Sequence, residues 1–182
     1  MVGVALLAGE RSARVAGAQD VRMLCSVDGT GALRPIASQS PSPLPTGPVE
    51  PWTVYFALRR GGYWAEAMVT MTGAPSPAQL AARRALDAAA VSVRAGISCR
   101  DLFRRMETDR GHYAGHPLLG TGVCRASGLS LDGEPWMQAE SDEALVENGV
   151  YTIATGVGDG DTGHVLLSTT VLAKAAGHEI LW

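Results

Sequence analysis

The sequence predicts an α+β fold in which helices pack on one face of a mostly antiparallel sheet. Runs of β-favouring residues lie before residue 72 and after residue 149, and two capped helices lie between them. Strands gathered at both ends of a chain are typical of this class, whereas alternating βαβ units give a parallel sheet. The 182 residues, 46% of them hydrophobic, are enough to bury one core, so we expect a single domain over residues 1–182.

Residues 4–16 predict a short amphipathic helix, with an apolar side followed by charges. The apolar run Val2–Ala8 has no basic region before it and gives way to Glu10, so we interpret it as a helix start and not as a signal peptide. No other stretch approaches the ~18 to 20 apolar residues that cross a bilayer. We expect a soluble, cytoplasmic protein.

Short strands are expected at Asp20–Ser26 and Leu33–Ile36, around the turn Asp28–Gly31. The segment Ser38–Pro51 contains five prolines, which exclude a helix or an internal strand, so it predicts a loop. The alternative is an interdomain linker, but too little sequence precedes it to form a domain.

Residues 52–71 predict an antiparallel hairpin, because two β-favouring runs are broken by the turn Arg59–Gly62. Side chains alternate along a strand, which places Glu66 on one face with Trp64 and Met68. Glu66 is the one acid on an otherwise uncharged strand.

Two helices follow the hairpin. The capping boxes Ser76–Gln79 and Ser98–Asp101 begin them, and Gly96 and Gly111 are expected to end them. Apolar residues recur at helical spacing and predict two buried stripes: Ala82, Leu86, Ala89 and Val93, then Cys99, Leu102, Phe103 and Met106.

Two further strands are expected at Val150–Thr155 and His164–Ala173, with a turn at Asp159–Asp161. The net charge of −3 provides no basic face for nucleic acid, which we exclude as a partner. The three cysteines are widely spaced and odd in number, so they indicate neither a disulfide framework nor a zinc knuckle.

Four segments, in chain order, resemble motifs of the creatinase and aminopeptidase-like (M24) family. They are GYWAEAMVTMTG, RAGISCRDLFRRM, GHPLLGTGV with GEPW, and NGVYTIATGV with HVLLSTTVLAKAAGHEIL. The resemblance is strongest over residues 52–182. It implies the pita-bread fold, with a curved sheet and helices on one face.

In the hydrolases of that family two Asp, one His and two Glu hold a pair of divalent metal ions that activate water. The resemblance maps these positions onto Tyr55, Glu66, His116, Ala154 and Ser168. At most two of the five ligands remain. The resemblance therefore implies a chain without the metal pair and without a cofactor.

Three residues are catalytic candidates: Glu66, His116 and Tyr55. Glu66, expected opposite Tyr55, would be partly desolvated, and a raised pKa would suit it to proton transfer. The alternative is that Glu66 reaches solvent or an Arg. His116 is a candidate acid or base near neutral pH, by analogy with a creatinase that cleaves a C–N bond without metal; the alternative is a ring satisfied by a backbone carbonyl.

Further residues are candidates for substrate binding. They are the aromatic walls Trp64, Tyr113 and Trp136, with His112, Ala154 and Ser168. Core or sheet packing is the alternative for each. Glu134 and His164 are lesser candidates. His112 and His116 are four residues apart, but the nearby glycines and proline argue against a helical metal pair.

Three functions remain open. The first is a metal-independent enzyme acting on a small amide, amino-acid-derived or peptide-like substrate, with Glu66 and His116 sharing proton transfer. The second is a non-catalytic module that binds a peptide or partner. The third is an inactive subunit of a homodimer or hetero-oligomer.

Overall fold

The described part of the chain folds into two antiparallel sheets and three helices. The computed structural model describes residues 2–27, 29, 31–35, 51–117, 119–120, 122–131, 141–159 and 163–182. One sheet has the strand order β2-β1-β3-β4, and the other has the order β5-β7-β8-β9, with β6 also paired to β7. The predicted α+β class is confirmed, although the strands form two sheets where one was expected.

The helices are α1 (Val2–Val15), α2 (Pro77–Ala90) and α3 (Cys99–Arg110). The strands are β1 (Asp20–Ser26), β2 (Arg34–Pro35), β3 (Trp52–Arg60), β4 (Tyr63–Met71), β5 (Ala114–Gly115), β6 (Gly122–Ala126), β7 (Val150–Asp159), β8 (Gly163–Lys174) and β9 (Gly177–Ile180). Most of the proline-rich segment lies outside the described residues. None of the described helices combines the length and apolar character of a membrane span.

Both predicted helix starts are confirmed. The Ser76 hydroxyl accepts the main-chain N–H of Gln79, and the Ser98 hydroxyl accepts that of Asp101, each at 3.1 Å. The Gln79 side-chain oxygen accepts the Thr72 hydroxyl at 2.6 Å and not the Ser76 N–H. Its amide N–H donates to the Thr70 carbonyl at 3.1 Å. The N-terminal cap of α2 is therefore hydrogen-bonded to β4.

Helix α2 ends at Ala90, short of the expected Gly96. The chain leaves the helix because its main chain finds partners elsewhere: Ala95 N–H donates to the Lys174 carbonyl at 2.9 Å, and Gly96 N–H to the Leu145 carbonyl at 2.8 Å. The first of these bonds ties the segment after α2 to the end of β8.

The main core lies between α2, α3 and the sheet formed by β7 and β8. The predicted stripes of both helices are buried there, with only Phe103 partly exposed. Cys99 and Cys124 are also buried in this core as free thiols, and burial raises the pKa of Cys99 to about 11. Such thiols pack as small apolar groups.

The hairpin of β3 and β4 is confirmed. Arg60 pairs with Tyr63 across a two-residue turn, Gly61–Gly62. The φ angles of these glycines are 59° and 87°. Positive φ at both central residues suits the twist of a hairpin and favours glycine. Strand β1 pairs with the other edge of β3 and also with β2.

Side chains join the two sheets along β4 and β8. Met68 N–H donates to the Ser168 hydroxyl at 2.7 Å. The Thr70 hydroxyl accepts Leu166 N–H at 2.8 Å and donates to the Leu166 carbonyl at 3.1 Å. The two strands run antiparallel, since Met68 lies beside Ser168 and Thr70 beside Leu166. The hydrogen bonds between β4 and β8 are therefore made by side-chain hydroxyl groups, where a continuous sheet would have main-chain pairs.

Replacing Thr70 with Val should destabilise the protein by about 2 to 4 kcal/mol, because two buried main-chain groups of Leu166 lose their partner. Urea denaturation measures the change. Thr108→Val is the matched control, since the exposed Thr108 hydroxyl bonds only the Arg104 carbonyl of its own helix. Equal stability of the two variants would contradict this role of Thr70.

Candidate functional site

The family's metal-ligand positions lie around one apolar cluster. Tyr55 comes from β3, Glu66 from β4, Ala154 from β7 and Ser168 from β8. His116 lies in the turn between β5 and β6. Ala154 and Ser168 are direct cross-strand partners, so their side chains share a face.

Glu66 is held by Arg125 of β6. The two guanidinium N–H groups of Arg125 donate to the two carboxylate oxygens of Glu66, and the side chains are only 12% and 3% exposed. A bidentate pair of this kind stabilises the ionised carboxylate. The alternative that Glu66 reaches an Arg is therefore what the structure shows.

Tyr55 also contacts this ion pair. The register places Tyr55 opposite Met68, and Glu66 opposite Ala57, so the expected direct pairing of Tyr55 with Glu66 is wrong by two residues. The Tyr55 hydroxyl nevertheless reaches diagonally and donates to Glu66 Oε2 at 3.0 Å. Glu66, Arg125 and Tyr55 together form the cluster that we call the Glu66 cluster.

Arg125 was missed by the sequence reasoning, although a signal was present. It is the only charged residue of β6, just as Glu66 is the only charged residue of β4. A single charge on a half-buried strand needs a partner, because an isolated buried ion is costly. Two such strands with opposite charges are candidates for a cross-sheet pair.

The centre of the site is apolar. Met68, Ala154 and Leu166 form a buried cluster, and Tyr55 and Val123 are among the residues packed against it. Ala154 is fully buried. The Ser168 hydroxyl accepts the Met68 N–H, so its observed contact is with the protein main chain.

His116 lies at the other end of this apolar cluster and is 2% exposed. Its main chain exchanges two hydrogen bonds with Gly120, which form a tight turn. A Cβ at Gly156 would lie 2.3 Å from His116 Cβ, so only glycine allows the ring this close to β7. Burial, and then the neighbouring His164, lower the pKa of His116 to about 4. The ring is therefore neutral at pH 7.

His164 packs edge-on against His116, with 5.3 Å between ring centroids. Its Nδ1 lies 3.0 Å from the Gly29 carbonyl. A carbonyl only accepts, so Nδ1 of a neutral His164 carries the proton and Nε2 is left as the acceptor. Sequence reasoning ranked His164 as a lesser candidate, yet it is the ring that contacts His116.

Glu66 and His116 do not come together. His116 packs on Gly156, which pairs with Leu166, and Leu166 is bonded to Thr70. Thr70 is four residues beyond Glu66 on β4, a distance of about 13 Å at ~3.3 Å per residue. Direct proton transfer between Glu66 and His116 is therefore not available in this arrangement.

The remaining candidates are dispersed. The Arg22 guanidinium lies over the Trp64 ring at 4.7 Å. His112 stacks on Tyr113 just beyond α3, and Tyr113 packs against the helix-side core and not against the apolar cluster. Trp136 and Glu134 lie outside the described residues.

A cavity lies along the edge of β4, and Glu66 is among the residues that line it. A groove of about 770 Å³ runs beside β4, where the last residues of the chain approach it. We call it the β4 groove; its walls include Phe56, Tyr63, Trp64, Leu129, Leu181 and Trp182. Among the described residues, Trp64 is the only predicted substrate-binding residue in it, and the contribution of Leu181 and Trp182 gave no sequence signal. Within the described residues, no group of three or more His, Cys, Asp or Glu side chains could hold a metal ion.

No protein-family model and no curated protein sequence matches the chain. Solved structures do match it. The prolidase from Pyrococcus furiosus aligns with a TM-score of 0.74 and 16% identity over 92% of this chain and 51% of its own. The X-Pro aminopeptidase from Thermotoga maritima aligns with a TM-score of 0.67 and 22% identity over 92% of this chain and 48% of its own.

The methionine aminopeptidase from Thermotoga maritima aligns with a TM-score of 0.62 and 15% identity, over 88% of this chain and 72% of its own. The chain thus spans about half the length of the prolidase and the X-Pro aminopeptidase. Identities this low establish the fold alone. This chain has the pita-bread fold of the M24 peptidases.

Proposed function

We propose that this chain is a metal-independent relative of the M24 peptidases that binds a small amide or peptide-like molecule. The observation that carries the proposal is the Glu66 cluster, in which a guanidinium faces the one carboxylate left at the family's ligand positions. In this proposal the positive charge that balances Glu66 comes from the protein and not from a metal ion.

Electrostatics supports this reading. A pair of divalent ions brings four positive charges, which carboxylates normally balance and bridge. Tyr55, Ala154 and Ser168 supply no negative charge at neutral pH. A metal at Glu66 would have to displace Arg125 or lie beside its charge. The residues present do not fit the family's metal pair.

After dialysis against Mn²⁺, Co²⁺ or Zn²⁺ and removal of free ions, the protein should retain less than about 0.2 equivalents of metal, because the site lacks the three protein ligands that a catalytic ion usually keeps. Elemental analysis measures the content, with a metal-loaded prolidase as the positive control. Two bound equivalents per chain would overturn the proposal.

Acid–base catalysis on a small amide is the second candidate, and the pair of His116 and His164 favours it. The His116 imidazole is neutral at pH 7 and can accept a proton, although its lowered pKa makes it a weaker base than a free imidazole; His164 offers an adjacent ring nitrogen. On this reading His116 carries the chemistry in hydrolysis, elimination or cyclisation. Glu66, locked to Arg125, then positions groups and does not move protons.

The state of His116 predicts a pH dependence of stability. Its pKa is about 4 in the folded protein and near 6.5 when unfolded, so the unfolded chain takes up the proton first as the pH falls. The free energy of unfolding should drop by about 3 kcal/mol from this group between pH 6.5 and 4. Urea denaturation at several pH values measures it.

The variant His116→Gln should lose this part of the pH dependence, whereas His112→Gln, at an exposed ring, should keep it. NMR titration of the His116 ring gives an independent reading. A His116 ring that titrates near 6.5 in the folded protein would contradict its burial as a neutral group.

A homodimer or hetero-oligomer also remains part of the proposal. Helix α1 exposes Val4, Leu7 and Val15, which supports contact with another chain. Sedimentation velocity tests the homodimer, and a single species at the monomer mass of 19.0 kDa across concentrations would rule the homodimer out.

A further inference from the structure

Glu66 presents its main-chain N–H and C=O to the β4 groove. The N–H groups of Trp64 and Met68 both point away from β3, since the first donates to the Gly128 carbonyl and the second to the Ser168 hydroxyl. Main-chain groups alternate in direction along an antiparallel pair. Glu66 lies two residues from each of them, so its N–H and C=O point the same way.

Strand β8 does not pair with Glu66. Thr170, the next outward residue of β8 beyond Ser168, has its N–H bonded to the Trp182 carbonyl at 3.0 Å and its C=O bonded to Leu181 N–H at 2.8 Å. The end of the chain therefore occupies this edge of β8. Among the described residues, the N–H and C=O of Glu66 have no hydrogen-bond partner.

The β4 groove thus combines one open pair of main-chain groups with apolar walls. Leu129 is 82% exposed and Trp182 57% exposed, so the walls of the groove leave apolar surface available to a ligand. Among the described lining side chains, the Glu66 carboxylate is the only charged group, and it is committed to Arg125. These side chains therefore offer no free charge to a ligand.

Size and chemistry together define the occupant. A volume of about 770 Å³ is that of a site for one small molecule. A residue whose own N–H and C=O both point to one side recognises the N–H and C=O of a single residue on the other side, as in one rung of an antiparallel ladder.

We propose that the β4 groove binds a neutral, amide-flanked residue with a bulky apolar side chain, such as an N-acylated aromatic amino-acid amide. The ligand C=O accepts from Glu66 N–H, the ligand N–H donates to Glu66 C=O, and the apolar group packs against Tyr63 and Trp182. This inference extends the ligand class of the proposed function. It can fail while metal independence stands, because the two are tested by different measurements.

The test is calorimetric titration of the full chain with N-acetyl-L-phenylalaninamide. We expect saturable 1:1 binding, and about tenfold weaker binding of O-acetyl-L-phenyllactamide, in which an ester oxygen replaces the N–H that bonds the Glu66 carbonyl. Equal binding of the two ligands, or no saturable binding by the first, would overturn the proposal.

Variants locate the site. Ala65→Trp fills the groove at an exposed position of β4 and should weaken binding about tenfold or more. Ala176→Trp, in the exposed turn before β9, should leave it unchanged. Trp182→Ala leaves β4 unchanged and should also weaken binding. It replaces Ala65→Trp as the test variant if Ala65→Trp fails to fold.

A second copy of the chain is the competing occupant of the groove. Sedimentation distinguishes it from the amide: a dimer that Ala65→Trp dissociates, with no binding of the acetylated amide, would refute the amide site. Binding of the amide by a species whose mass does not depend on Ala65 supports it.

Discussion

The buried ion pair of Glu66 and Arg125 is the interaction on which the rest of the site depends. It links β4, which belongs to one sheet, to β6, which belongs to the other. Two charges removed from water compensate each other only when their geometry is close and their remaining bonds are satisfied. Tyr55 adds one such hydrogen bond, so side chains of the protein itself compensate the charge of Glu66.

In the proposed function, Arg125 supplies the positive charge that balances Glu66, and the centre of the site is apolar. Met68, Ala154 and Leu166 pack there, and they separate the Glu66 cluster from His116. The two ends of this apolar cluster therefore differ in their chemistry. One is a fixed ion pair, and the other is a neutral imidazole against a second histidine.

Local signals predicted the helices and the hairpin because each rests on residues a few positions apart, such as Ser76 with Gln79. The division into two sheets was not predictable in this way, since Met68 and Ser168 are 100 residues apart and are joined through a hydroxyl group. Glu66 and Arg125 are 59 residues apart, and only the lone charges on two strands hinted at the pair. The family resemblance predicted the fold and the proximity of Tyr55 to Glu66. It could not predict that Arg125 pairs with Glu66, because Arg125 is at none of the family's ligand positions.

A double-mutant cycle on the ion pair tests the central claim most directly. Arg125→Met should lower the free energy of unfolding by about 3 to 5 kcal/mol, because it leaves a buried carboxylate without its cation. Adding Glu66→Gln to that variant should recover most of the loss, with a coupling energy of about 2 kcal/mol or more. Losses that simply add, with coupling below about 0.5 kcal/mol, would contradict the account, because the arginine would then not be what balances Glu66.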